Sequence, residues 1–213
     1  MFICSFVQIS IMPHRRRKSH SVRNALIAIV VLILVISIVV VAFQMNGGKP
    51  SNSSSQSSSA TRVLLVTSMG NITIELYDDM PITAVNFRNL TEHGIYDGTT
   101  FNRVAQGFVI QGGDALTTKG ITVPPILDEL PNKHSNVQYS VAMAKTNDPN
   151  SATSQFYINL KDNSDNLDSH YSVFGHVIAG MKIVDDIGSV ATNPANDGKP
   201  IHDVTIIQAQ IIE

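Results

Sequence analysis

The feature that most constrains this chain is an apolar run of 19 residues at positions 25–43, interrupted only by Ser37. A helix rises about 1.5 Å per residue, so a run of this length covers roughly 28 Å, close to the hydrocarbon core of a bilayer. A buried strand is the poorer interpretation, because strands rarely exceed about ten residues. We therefore expect one transmembrane helix at residues 25–43.

Basic residues flank this run unequally. Arginines and lysines cluster between residues 15 and 23, whereas only Lys49 follows the run closely. The positive-inside tendency places the N-terminus in the cytoplasm and residues 61–213 outside it. The run is longer than the apolar core of a signal peptide and ends without a small-x-small cleavage site, which favours an uncleaved anchor. Met1 and Met12 both remain open as the start of the chain.

Composition divides the chain into four parts. We expect a basic cytoplasmic N-terminus at 1–24, the transmembrane anchor at 25–43, a linker at 44–60 and a folded domain at 61–213. The linker is rich in serine and has nothing to bury, which is typical of a flexible tether. Asn52 begins an Asn-Ser-Ser acceptor pattern, and this short pattern leaves glycosylation open.

The charge of the folded domain excludes one class of partner. Residues 61–213 carry nine Lys and Arg against all 17 Asp and Glu, a net charge of −8. Nucleic-acid binding needs clustered basic residues, so we expect no nucleic-acid partner. The only cysteine, Cys4, excludes an internal disulfide framework and a cysteine-based zinc site. No histidine pair has metal-ligand spacing, and we expect no metal or cofactor.

The folded domain is predicted to be mainly β. A helix is expected to begin near Asp78 and Asp79, before Pro81, and to end at Gly94, and a second helix covers residues 180–187. Short strands with turn signals between them are predicted at 63–67, 71–76, 100–104, 108–111, 139–144, 155–160, 173–177 and 203–211. This pattern fits a closed antiparallel barrel or a sandwich, and does not choose between them.

One segment, residues 101–114, combines aromatic, basic and amide side chains. Alternation along a strand would put Phe101 and Arg103 on the same side, and Phe108 and Gln111 follow a turn at Gly107. The segment contains no acid–base pair or nucleophile motif. From the residues alone two interpretations stay open: a binding site, or a core Phe108 beside a paired surface arginine.

Three blocks of sequence resemble a known family in the same order and spacing. They are FNRVAQGFVIQGGD at 101–114, SVAMA with SATSQFYI at 140–158, and Leu167-Asp168 followed by VFG at 173–175. Together they closely resemble the cyclophilin-type peptidyl-prolyl cis-trans isomerases. The SATSQF segment at 151–156 is similar to that of the prokaryotic branch. The resemblance covers residues 61–213 and none of residues 1–60.

The resemblance implies a fold and an activity. The fold would be a closed eight-stranded antiparallel β-barrel capped by two α-helices, with a groove on its outer face. The activity would be cis-trans isomerisation of X–Pro bonds in exported proteins, without a cofactor, with proline-containing polypeptides as partners. The alternative is a catalytically weak module or chaperone that binds proline segments in the same groove. The oligomeric state stays unknown.

The resemblance also implies roles for individual residues. Arg103 would be the catalytic arginine, Gln111 would hold it in place, and Phe108 would belong to the same set. The other implied residues would bind the substrate in the proline pocket or along the peptide groove: Phe101, Val109, Ala142, Met143, Ala144, Gln155, Tyr157, Leu167 and Tyr171.

Three positions depart from the family pattern. Asn102 and Tyr171 each stand where many members have histidine, so hydrogen bonding around the arginine and the polarity of the pocket wall are expected to differ. Asn166 falls near a tryptophan that supports cyclosporin binding in sensitive members. We therefore expect low cyclosporin sensitivity, which a binding assay can test.

Overall fold

The structure is a computed structural model, and it describes residues 60–212. The predicted basic N-terminus and transmembrane helix, and nearly all of the predicted linker, lie outside these residues. Within residues 60–212, no helix is both long enough and apolar enough to cross a bilayer.

Ten strands and four α-helices make up the described part. The strands are β1 (Arg62–Thr67), β2 (Gly70–Leu76), β3 (Arg103–Ala105), β4 (Val109–Gly112), β5 (Ser140–Met143), β6 (Phe156–Asn159), β7 (Val173–Ala179), β8 (Thr192–Asn193), β9 (Lys199–Pro200) and β10 (Ile206–Ile212). The helices are α1 (Thr83–Glu92), α2 (Ala115–Lys119), α3 (Ser164–Leu167) and α4 (Met181–Gly188), with a 3₁₀ turn at Pro194–Asn196. The short α2, α3 and β8–β9 hairpin were not expected.

Eight strands form one antiparallel sheet in the order β10-β1-β2-β7-β5-β6-β4-β3. Strands β1 and β2 form the expected hairpin, in which Val63 lies opposite Ile74 and Leu65 lies opposite Ile72. All four of these side chains are buried, and their alternation with less buried neighbours follows the period of two. The predicted mainly β class and the eight strands are therefore correct.

The expected closed barrel does not form, because the edge strands β3 and β10 do not pair with each other. The sheet curls until the chain before β3 meets the chain before β10 at one bridge, between Thr100 and Thr205. The N–H of Phe101 donates to the carbonyl of Val204 at 2.9 Å there. The ladder stops because the N–H of Val104 in β3 bonds to the carbonyl of Gly198, at the tip of the β8–β9 hairpin.

The main core lies inside the curl of the sheet. Phe87 of α1 packs there against three other aromatic rings, those of Tyr96, Phe156 and Phe174, with ring centroids 4.9–5.2 Å away. On α4, Val184 and Ile187 are fully buried, so this helix turns one apolar face to the core. The two longer helices thus cover the core of the sheet.

Helix α1 begins later than the sequence indicated. We expected the start near Asp78 and Asp79, but the first helical residue is Thr83. The carboxylate near the positive end of the helix comes from Glu129, which accepts hydrogen bonds from the backbone N–H of Ile82 and Thr83 at 3.0 and 2.6 Å. An acid that is distant in sequence therefore lies at the positive end of the helix, where the local aspartates were expected.

Candidate active site

A cleft of about 460 Å³ lies on the face of the sheet that points away from the main core. In β6 the side chains of Phe156 and Ile158 point into the core, so Tyr157 between them points to the opposite face. The cleft is lined by Arg103, Phe108, Val109, Gln111, Ala144, Lys145, Thr146, Ser151, Thr153, Gln155, Tyr157, Leu167, Tyr171 and Asp197. Nine of these were predicted from the sequence.

One half of the cleft is apolar. Its walls are Phe108, Val109, Tyr157, Leu167 and Tyr171. The rings of Tyr157 and Tyr171 meet edge to face, with centroids 5.7 Å apart. Val109 and Tyr157 pack on Ala142 and Val173 in a small buried cluster separate from the main core. This half can enclose a small apolar ring.

The other half of the cleft is polar and holds Arg103 beside Gln111. The two residues lie opposite each other in the β3–β4 pair, as expected for neighbours in a site. The amide nitrogen of Gln111, however, donates to Oε1 of Gln155 at 2.7 Å. The Nε of Arg103 lies 3.1 Å from Oδ2 of Asp197. The guanidinium is therefore paired with Asp197, and the amide N–H of Gln111 bonds to Gln155.

Three predicted site residues do not line the cleft. Phe101 is 1 % exposed and lies in the main core, because β3 begins only at Arg103 and the assumed alternation fails across Asn102. Met143 is also a main-core residue, since it points inward from β5. Ala142 points the other way and lies under the cleft, where it supports Val109 and Tyr157.

Five cleft residues were not predicted: Lys145, Thr146, Ser151, Thr153 and Asp197. Lys145 is well buried and pairs with Asp128, with Nζ 2.6 Å from Oδ2. Ser151 and Thr153 lie in the block at 151–158, so proximity to Gln155 was the available signal. No sequence signal indicated Asp197, because the hairpin that carries it comes close to Arg103 only when the chain is folded.

A chain of buried amides supports the cleft from behind. Asn163 donates to the carbonyl of Phe108 at 3.0 Å and to Oδ1 of Asn159 at 2.8 Å. Asn159 donates to Oδ1 of Asn136 at 3.2 Å, and the hydroxyl of Tyr157 donates to the same oxygen at 2.6 Å. Two walls of the cleft are therefore tied to a single network.

The electrostatics of the cleft point away from proton transfer. Burial raises the pKa of Tyr157 far above its ordinary range, and Tyr171 and Asp168 raise it further, so this hydroxyl stays neutral. Among residues 60–212, no three or more His, Cys, Asp or Glu side chains gather to hold a metal ion. The cleft offers a fixed cation and an apolar wall.

The fold and the site together define a β protein with a curled antiparallel sheet and, on its outer face, an apolar cleft beside an arginine. The sequence model of the family described as "Cyclophilin type peptidyl-prolyl cis-trans isomerase/CLD" matches residues 62–211. The chain therefore belongs to the cyclophilin-type peptidyl-prolyl cis-trans isomerases, enzymes that interconvert the cis and trans forms of the bond before proline.

Named relatives agree with this assignment. A peptidyl-prolyl cis-trans isomerase of Acinetobacter baylyi is 42 % identical over 160 residues, which cover 71 % of this chain and 85 % of the relative. One of Streptomyces antibioticus is 43 % identical over 164 residues, 70 % of this chain and 98 % of the relative. Peptidyl-prolyl isomerase activity and the expected family are thus confirmed.

Solved structures support the fold. A cyclophilin-type peptidyl-prolyl cis-trans isomerase of Cryptosporidium parvum superimposes with a TM-score of 0.66 at 26 % identity, covering 72 % of this chain and 98 % of that one. A structure of the same protein in the presence of the dipeptide Ala-Pro gives a TM-score of 0.65 at 27 % identity, covering 71 % and 99 %.

Proposed function

We propose that Arg103 is the catalytic residue and that the apolar half of the cleft holds the proline ring of the substrate. The observation that carries this proposal is the position of the Arg103 guanidinium, which shares one cleft with Phe108, Val109 and Tyr157. The Ala-Pro dipeptide present with the Cryptosporidium relative supports a proline-containing ligand. Phe108, Val109, Tyr157, Leu167 and Tyr171 then form the proline pocket.

The chemistry requires no covalent step. Rotation about the X–Pro bond is slow because the nitrogen lone pair is delocalised into the carbonyl, which gives a barrier of about 20 kcal/mol. In the twisted transition state the prolyl nitrogen becomes pyramidal and can accept a hydrogen bond. A fixed guanidinium donates to that nitrogen only in this state, so it stabilises the transition state selectively. Each tenfold acceleration needs about 1.4 kcal/mol of such stabilisation.

Replacing Arg103 by alanine tests this role. We expect Arg103→Ala to lower the exchange rate of an Ala-Pro-Phe peptide, measured by NMR on the full chain in detergent, by roughly 100-fold or more. Arg62→Ala is the matched control, because the Nε of Arg62 also pairs with a carboxylate at 3.1 Å but lies on β1, away from the cleft. Undiminished exchange in the Arg103 variant would contradict the role, and binding without exchange in the wild-type chain would favour the binding-module alternative.

We further propose that the enzyme is tethered to a membrane and acts on exported proteins. The support is the apolar run at residues 25–43 with its basic N-terminal flank, followed by a serine-rich stretch before the catalytic domain. In this arrangement residues 1–24 lie in the cytoplasm and residues 61–213 lie on the opposite side of the membrane. The tether at 44–60 lets the cleft reach chains that emerge nearby.

Protease protection tests the location. In cells that produce the full chain with a C-terminal tag, protease added from outside should remove the tag once any outer barrier is opened. The chain should also stay in the membrane pellet after carbonate washing, whereas a variant that begins at residue 44 should not. A tag that is digested only after the membrane is dissolved would refute the extracytoplasmic placement.

A further inference from the structure

The β8–β9 hairpin brings a carboxylate to the proposed catalytic arginine. Oδ2 of Asp197 lies 3.1 Å from Nε of Arg103, and both residues line the cleft. The Arg103 side chain is 30 % exposed and that of Asp197 is 83 % exposed. The pair therefore lies at the rim of the cleft, where solvent reaches the acid and the cleft wall partly shields the cation.

The hairpin is built to hold Asp197 in this place. Asp197 has φ +46° and ψ +38°, the left-handed conformation that aspartate, asparagine and glycine tolerate best. The next residue, Gly198, accepts a hydrogen bond of 2.9 Å from the N–H of Val104, the direct neighbour of Arg103. A Cβ at position 198 would lie 2.6 Å from the carbonyl oxygen of Val104, so only glycine allows this close approach. The hydrogen bond and the close backbone approach at Gly198 hold the β8–β9 hairpin against β3, next to Arg103.

The atom that Asp197 contacts decides what the contact can do. A guanidinium has five N–H donors in one plane, one on Nε and four on the two terminal nitrogens. A carboxylate paired beside Nε attracts this edge of the guanidinium toward the hairpin and leaves the terminal donors for another partner. Gln111, the other candidate for holding the arginine, donates to Gln155. Asp197 is the acid among the residues that line the cleft, so its ion pair with Arg103 biases the orientation of the guanidinium.

We propose that Asp197 is a positioning residue for the isomerase reaction, which orients the Arg103 guanidinium so that its terminal nitrogens face the prolyl nitrogen. This inference rests on the proposed role of Arg103. A positioning residue changes the rate of the step on the enzyme more than it changes peptide affinity. The pair is also exposed at the carboxylate, so dissolved salt screens it and weakens the positioning.

Two variants of Asp197 test the proposal in the full chain. Asp197→Asn removes the charge and keeps the left-handed backbone, and Asp197→Gly removes the side chain and keeps the same backbone. With an uncharged blocked peptide, acetyl-Ala-Pro-Phe-amide, NMR line shapes give the on-enzyme exchange rate and the Kd separately. We expect both variants to lower the exchange rate about threefold to fivefold, the range of an exposed ion pair, and to change Kd less than about twofold.

A matched control removes a carboxylate elsewhere. Asp186 on α4 pairs with Lys182 at 2.7 Å on the protein surface, and Asp186→Asn makes the same change in net charge away from the cleft. This variant should exchange the peptide at the wild-type rate. Wild-type exchange in both Asp197 variants would overturn the proposal, and so would faster exchange, which would mean that Asp197 competes with the substrate for Arg103.

Salt dependence gives a readout that a purely structural role would not move. At saturating peptide, raising sodium chloride from about 20 mM to about 1 M shortens the screening length to roughly 3 Å and should slow the wild-type enzyme toward the Asp197→Asn rate. The variant itself should hardly respond. A wild-type rate independent of salt would contradict the inference without needing any variant. Arg103→Ala separates the two proposals, because full activity in that variant would defeat the proposed function itself.

Discussion

The hydroxyl of Tyr157 donates a hydrogen bond of 2.6 Å to Oδ1 of Asn136, behind the apolar wall of the cleft. Asn136 is fully buried, and its backbone and side-chain N–H groups both donate to Oδ1 of Asp168, at 2.7 and 2.8 Å. Asp168 directly follows α3, which carries Leu167. One asparagine therefore connects two elements that line the apolar half of the cleft.

Tyr157→Phe should cost about 1 kcal/mol of folding free energy, because it removes one buried hydrogen bond and leaves the ring in place. Oδ1 of Asn136 keeps a bond from Asn159 at 3.2 Å, so the loss stays moderate. Exchange of an Ala-Pro peptide should remain within about threefold of the wild-type rate. Urea denaturation measures the first effect and NMR exchange the second.

Tyr171→Phe is the control for that variant, since its hydroxyl makes no hydrogen bond within residues 60–212 while its ring also lines the cleft. Its stability should match that of the wild type to within about 0.5 kcal/mol. Equal losses for the two variants would mean that the Tyr157–Asn136 bond contributes nothing of its own.

Much of the fold could be predicted from local patterns, and the errors come from contacts between residues that are distant in sequence. Strands β1 and β2 and helix α4 follow the period of their buried residues, so their positions were close to correct. The start of α1 was wrong because its cap, Glu129, lies 46 residues further along the chain than Thr83. Closure of the barrel was wrong because the β8–β9 hairpin occupies the edge of β3.

The site shows the same division between local and distant information. Residues in the family motifs, such as Arg103, Phe108 and Tyr157, meet in the cleft as expected. Phe101 does not, because the alternation assumed for it needs a continuous strand and the chain is irregular at Asn102. Asp197 could not be found, because its approach to Arg103 depends on a backbone bond between Gly198 and Val104.

Arg103→Lys should lower the exchange rate at least about tenfold while stability changes by less than about 0.5 kcal/mol. Lysine keeps the positive charge but carries its donors on one nitrogen, so it cannot bind Asp197 with one group and present a separate planar pair to the substrate. NMR exchange and urea denaturation measure the two effects. Arg62→Lys, which alters a similar pair on β1, should leave exchange unchanged, and near-normal activity of the Arg103 variant would show that charge alone suffices.

Gly180→Ala should destabilise the domain by about 3 kcal/mol or more. Gly180 has φ +88° between β7 and α4, and a Cβ there would collide with the backbone oxygen of Asn71 and lie 3.0 Å from Cα of Ile72. The left-handed backbone costs roughly 1–2 kcal/mol for alanine, and overpacking against backbone adds roughly 1–3 kcal/mol. Gly120→Ala separates the two effects in urea denaturation.

Gly120, which ends α2 at φ +69°, has no atom within 4 Å of its added Cβ. Its alanine variant should therefore lose only the conformational part, roughly 1–2 kcal/mol. Similar losses of folding free energy at both positions would show that the backbone of β2 can move away from α4. The collision at Gly180 would then contribute nothing to the loss.

Asp79→Asn should reduce stability at neutral pH and have little effect in strong acid. A hydrogen bond from His134, whose Nε2 lies 2.8 Å from the carboxylate, lowers the pKa of Asp79 below its ordinary value of 3.8. A group whose pKa is lower in the folded state stabilises the fold above about pH 4, and this contribution is lost as pH falls through the folded value. Urea midpoints measured from pH 7 to pH 2 should therefore converge for the variant and the wild type as the pH falls through the lowered pKa of Asp79. In a His134→Ala background the same substitution should have a much smaller effect at every pH, because the bond that lowers the pKa is gone. A gap between the midpoints that stays constant down to pH 2 would instead assign the loss to packing around Asp79.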